Sequence, residues 1–189
     1  MILMKIIPIR IVPYTQTLGE SCLVACFLML LGVYRGLKFN SSLEQELCFE
    51  GLRQSKEYYI VGIAKSLYRK FNFPFLICAD NKWFAKKIKG CLKEKNILVF
   101  HQKINPELID TTLLEKGKMP IVCIDSYWIG TNYHAPHFII IEKKLKKYAI
   151  IDPWFGRRRY LSREQFSKAI ISLKTRRLKY CPLIIALQN

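Results

Sequence analysis

The sequence predicts an α+β fold in which helices come first and a mostly antiparallel sheet follows. Three observations carry this. Residues 23–31 form an unbroken apolar run of good helix formers. Two further segments, one with Leu43, Leu47 and Leu52 and one spanning 60–71, place apolar residues at helical spacing. Beyond residue 117 the texture changes to β-type runs at 120–125, 137–142, 148–152 and 182–187. No repeat, low-complexity stretch or linker divides the 189 residues, so 1–189 reads as one domain. At 51 % hydrophobic it can bury a sizeable core without disulfide staples.

The N-terminal stretch is apolar, but Lys5, Pro8 and Arg10 interrupt it and no small-residue cleavage site follows. A first strand over 5–13 is expected there, not a signal peptide. The core helix should start at Cys22, with Ser21 capping it and Gly32 ending it. Roughly a dozen helical residues span about 18 Å, too short for a bilayer core of about 30 Å, so no transmembrane segment is expected. A second helix should open at 41–45 and a third should run from 60 to 71, broken by Asn72-Phe73-Pro74 before a short strand at 75–79. A helix over 81–96 would half-bury Trp83, Phe84, Ile88 and Leu92 beneath a lysine-rich outer face. After a short strand at 97–100, a helix over 106–116 begins at Pro106 and ends at Gly117. The four late runs are strands, with a helix over 162–174 before the last.

Seven cysteines, an odd number scattered through apolar segments, do not suit a secreted disulfide framework, so a reducing, cytoplasmic setting is the default. The net charge is +17, and it is unevenly placed: residues 1–60 hold 6 of the 31 Lys and Arg and 5 of the 14 Asp and Glu. Basic clusters at 86–89, 143–147, 157–159 and 176–179 would attract an acidic peptide, anionic lipid or nucleic acid. No zinc-finger spacing, Gly-rich phosphate loop or RNA-binding aromatic motif sharpens that charge into nucleic-acid recognition.

The chemistry centres on Cys22. A thiol in the first turn of a buried helix meets unpaired backbone N–H groups and the positive end of the dipole, which favour a nucleophilic thiolate. Gln16 lies six residues upstream across a Gly-containing loop, so its amide can fold back beside the Cys22 backbone N–H as an oxyanion hole. A two-residue turn at Lys144-Leu145 would set His137 directly opposite Asp152 on one face of a hairpin, in reach of an imidazole–carboxylate hydrogen bond. A slip of two residues would leave the pair diagonal, and an odd slip would separate them. His134 lies beyond a regular ladder, leaving a substrate-side role open for it. A zinc set of Cys22, Cys26, His134 and His137 lacks the usual finger spacing, so no metal or cofactor is expected.

With Gln16, Cys22, the apolar helix after it, His137 opening one strand and Ile151-Asp152-Pro153 ending the next, the chain resembles the cysteine peptidases of family 39, the bacteriocin-processing enzymes of the papain-like superfamily. The resemblance runs from Val12-Pro13 through 162–166. It implies a papain-like fold with a buried helix starting at the nucleophile. It also implies a thiol peptidase acting on a peptide or protein substrate, such as a leader or precursor. Cys22 would be nucleophile, His137 general base, Asp152 the orienting carboxylate and Gln16 the oxyanion donor. Family members often have Gly-Pro after the cysteine, where this chain has Leu23-Val24. The same thioester could serve acyl transfer, and a non-catalytic peptide-binding module with a basic surface is the alternative from another class.

Overall fold

The computed structural model describes residues 10–55, 58–114, 117–144, 146–175 and 179–188, with the backbone alone at 112, 113, 143 and 144. The expected first strand falls mostly on 1–9, outside the described residues, and 10–13 form no strand. The first helix, α1 (Cys22–Arg35), buries every residue from Cys22 to Leu31, as a segment apolar on all faces must. Two expectations about its ends are corrected. Ser21 is the N-cap residue, but its hydroxyl makes no cap bond and turns to Glu44 instead. The helix also runs through Gly32 and stops at Gly36, whose φ of 65° supplies the left-handed turn. Gly32 serves close packing: a Cβ there would lie 3.4 Å from the Leu37 carbonyl and from the Phe39 ring, where the chain folds back over the helix.

The helices α2 (Ser41–Gln54) and α3 (Tyr59–Phe71) follow, the first capped by Asn40 through the Leu43 N–H and the second closed by Asn72 at a φ of 47°. They approach backbone to backbone at Gly51 and Gly62, where a Cβ on Gly62 would come within 2.0 Å of the Gly51 carbonyl oxygen. Then β1 (Phe75–Ala79), α4 (Lys82–Cys91) and β2 (Ile97–His101) make a parallel crossover. The helix stops five residues short of the expected 96, because β2 begins at Ile97 and the chain needs the intervening residues to turn. Trp83, expected half-buried, is 62 % exposed.

The expected helix from Pro106 is a single α-turn, α5 (Pro106–Ile109), continued by a π-helical turn over Asp110–Leu114. Its expected end at 115–116 lies outside the described residues. The late strands are β3 (Ile121–Asp125), β4 (Pro136–Lys144), β5 (Tyr148–Asp152), β6 (Arg157–Leu161) and, after α6 (Arg163–Ser172), β7 (Leu183–Leu187). Ser162 and Gln165 form a reciprocal capping box at the start of α6. β6 is not among the expected strands, since its Arg157-Arg158-Arg159 reads only as a basic cluster.

The fold is α+β, with one seven-stranded sheet among the described residues in the order β2-β1-β7-β3-β4-β5-β6. Among the described residues only β1 and β2 pair in parallel, and every other ladder is antiparallel. Helices and sheet are not segregated along the chain as expected, because β7 returns between β1 and β3 and joins the early strands to the late ones. One apolar cluster gathers α1, α2 and α3 with Ile77, Ile140 and Ile185, and a second gathers Ile109, Ile139, Ile150, Phe166 and Ile170. Among the described residues no helix is long and apolar enough to cross a membrane.

Candidate active site

α1 packs on β4, and the contact can be followed residue by residue. The Cys26 thiol donates to the Phe138 carbonyl at 3.5 Å. One turn back on the same helix face is Cys22, and one residue back on the strand is His137. Cys22 is 7 % exposed, His137 4 % and Asp152 not at all. The His137 Nε2–H donates to Asp152 Oδ1 at 2.9 Å, and the Trp154 N–H donates to the same oxygen at 3.0 Å. With Nε2 taken by Asp152, Nδ1 is the ring nitrogen left for Cys22, which is near enough to act on the His137 pKa.

The route to the His137–Asp152 pair differs from the expected one. In the ladder Ile140 faces Ile151 and Lys144 faces Tyr148, with a bulge between Ile141 and Lys143. The connection is thus 145–147, longer than the two residues assumed, and Leu145 lies outside the described residues. Continued, this register sets Asp152 opposite Ile139 and His137 opposite Trp154, so the two are diagonal neighbours. Consistent with it, the His137 and Trp154 rings lie edge-on with centroids 6.2 Å apart. The slip is an even one, so the contact survives.

Burial pulls the His137 pKa down. The hydrogen bonds to Asp152 and Cys22 and the negative charges of both outweigh it, raising the pKa to about 9. Burial pushes the Cys26, Cys48, Cys123 and Cys181 thiols up and Cys78 to about 12, so these cysteines are held in the unreactive protonated form.

Gln16 sits in the loop before Cys22, with its backbone N–H on the Pro153 carbonyl at 2.8 Å. Its Nε2 donates to the carbonyls of Leu18 at 2.7 Å and Gly19 at 3.2 Å. Both amide hydrogens are therefore engaged within the loop, and one must be exchanged before Gln16 can reach an oxyanion. The turn after Asp152 closes on this loop as well: Gly156, at a φ of 57°, leaves room for Thr15, whose Oγ1 would be 2.0 Å from a Cβ.

His134 turns elsewhere. Its Nδ1–H donates to Asp125 Oδ2 at 2.6 Å, its ring stacks on Tyr127, and the Ser172 hydroxyl donates to the same Asp125 oxygen at 2.6 Å. This second histidine–carboxylate pair was missed in the sequence. The signal available was Asp125 ending a strand nine residues before His134.

Arg159 was also missed, having been counted as surface charge. Its Nη1 lies 3.7 Å from Asp152 Oδ2, placing a cation beside the buried carboxylate. Cys22 and His137 open onto a cleft of about 1220 Å³ walled by Tyr58, Trp83, Phe84, Tyr133, Trp154 and Tyr180. Lys174 and Lys179 lie along it, the former paired with Asp80 at 2.8 Å.

No family model matches the chain, and no curated protein matches its sequence.

Proposed function

We propose that the chain is a thiol-dependent peptidase of the papain-like kind, similar to family 39. The observation that carries this reading is the buried His137, which donates to Asp152 through one nitrogen and shares a cleft with Cys22, the first residue of a helix. A core cysteine or a satisfied core histidine has no need of that three-residue chain opening on a cleft. In the reaction the Cys22 thiolate attacks the substrate carbonyl carbon and the C–N bond breaks. The His137 imidazolium gives its Nδ1 proton to the leaving amine. Water, deprotonated by the now neutral His137, then breaks the C–S bond and releases the acid. As the first helical residue, Cys22 has a backbone N–H with no intrahelical acceptor, free to meet the developing oxyanion, with Gln16 as second donor.

Intact mass spectrometry after treatment with a thiol-directed peptidyl electrophile near neutral pH tests this. One adduct is expected, on Cys22. Labelling confined to the partly exposed Cys91 and Cys181, with Cys22 untouched, would overturn the reading.

A further inference from the structure

We propose that Glu44, on α2, is a positioning residue that holds the loop of oxyanion donors in register with Cys22, an inference that rests on the peptidase reading. Glu44 is wholly buried, and the four hydrogen bonds to its carboxylate among the described residues all come from residues 14–21. The Tyr14 hydroxyl donates to Oε2 at 2.6 Å and the Thr17 hydroxyl to the same oxygen at 3.0 Å. The Thr17 backbone N–H donates to Oε1 at 2.9 Å, and the Ser21 hydroxyl also donates to Oε1. Among the described residues no cation pairs with it, so the carboxylate is satisfied by neutral donors alone.

An apolar side chain would fill this place without the cost of burying a charge. What a carboxylate adds is four acceptor positions at one point, enough to gather a loop that has no secondary structure of its own. That loop carries Gln16 in its middle and ends at Ser21, immediately before Cys22. Both groups assigned to the oxyanion therefore hang from Glu44 on one side. On the other side Gln16 hangs from the Pro153 carbonyl, one residue past Asp152, through its backbone N–H.

Oxyanion stabilisation matters when a thiolate adds to a carbonyl and not when it displaces iodide from iodoacetamide. The two reactions separate positioning from simple structural support. In folded Glu44→Gln, whose NH2 group would confront the loop's donors, kcat on a peptide ester should fall by about tenfold or more with KM within about threefold. The iodoacetamide rate at Cys22 should stay within about threefold of the parent. The paired variant Tyr14→Phe, Thr17→Val removes two of the four donors, and it should show the same split, smaller, should Glu44→Gln not fold. An unchanged kcat in whichever variant folds, or equal loss of both rates, overturns the role of Glu44 while leaving the peptidase reading in place. A parent chain with no Cys22-dependent turnover sinks that reading and the positioning role with it.

Discussion

His137 stands beside Asp152 and Cys22, and its titration reports on both. In the folded chain its midpoint should lie at about 9 by NMR, against an ordinary value of 6.5, and should fall in Cys22→Ser and in Asp152→Asn. A midpoint unmoved by either substitution would mean that the pair is not electrostatically linked to the thiol. Because the folded value is the raised one, the stability contributed by the imidazolium is fully present below 6.5 and is lost as pH rises through about 9. The stability gap between the parent and His137→Ala, read as urea midpoints, should therefore shrink over that window. In turnover, His137→Ala should be inactive and Asp152→Asn severely impaired. His134→Ala should keep at least about a tenth of the activity, since it leaves Asp125 still bonded to Ser172. Gln16→Ala should lower kcat by about 10² to 10³ with little change in substrate affinity. An unaltered kcat in the folded variant would remove Gln16 from the mechanism.

At the scale of elements, the site depends on α2 standing at a fixed height, because Glu44 is in its first turn. That height is set by the glycine crossing with α3. Gly62→Ala would drive a Cβ to within 2.0 Å of the Gly51 carbonyl oxygen, which belongs to rigid helix backbone and cannot swing aside. A loss of about 1–3 kcal/mol is expected from urea unfolding. Gly90→Ala, in α4 with nothing within 4 Å of the new methyl, should be neutral or stabilising by up to about 1 kcal/mol. Equal effects of the two substitutions would show that the α2–α3 approach is not a tight one. The same logic of close backbone approach governs Gly156 beside Thr15, where the turn after Asp152 meets the loop before Cys22.

For the whole molecule the question is what a charge of +17 does. Lys86, Lys87, Lys89, Lys146 and Lys147 are exposed, a solvated field. Two of the three arginines at 157–159 are not part of it. Arg158 grips Glu142 with two bonds of 2.6 and 2.7 Å and reaches the Ile11 carbonyl at 3.1 Å, while Arg159 lies beside Asp152. The remaining field is expected to steer a substrate and not to react with it. Raising salt from about 0.05 to 0.5 M should weaken KM for an acidic peptide several-fold and leave kcat on a neutral one unchanged. Salt-sensitive binding of DNA or RNA by Cys22→Ser, with no thiol activity in the parent, would instead favour a nucleic-acid-binding protein.

Periodicity alone made most elements legible. α2, α3, β1, β3, β5, α6 and β7, and the start of α1, stand within a residue or two of where apolar spacing put them, because each is decided by local propensity and by which face must leave water. Cys22 at a helix start was equally local, but the parity that keeps His137 and Asp152 within reach was not: the longer connection alone shifts the pairing by an odd number, and the bulge makes the slip even. The sequence could not announce that Glu44 is buried, that Arg157–Leu161 is a strand, or that His134 belongs to Asp125. Each of these depends on partners beyond the local turn, from 5 residues away in the β5–β6 ladder to 30 away for Tyr14 and Glu44, and a charged residue is placed by what it meets rather than by its neighbours in the chain. Register was the same kind of unknown: a bulge at 141–143 and the length of the turn shift every pairing along the hairpin, and both are set by packing. Sequence thus determined which residues could do chemistry and that a helix start and a strand pair would carry them. Only the tertiary structure decided that His134 takes Asp125 and in which register His137 meets Asp152, because those choices are made by distances across the fold.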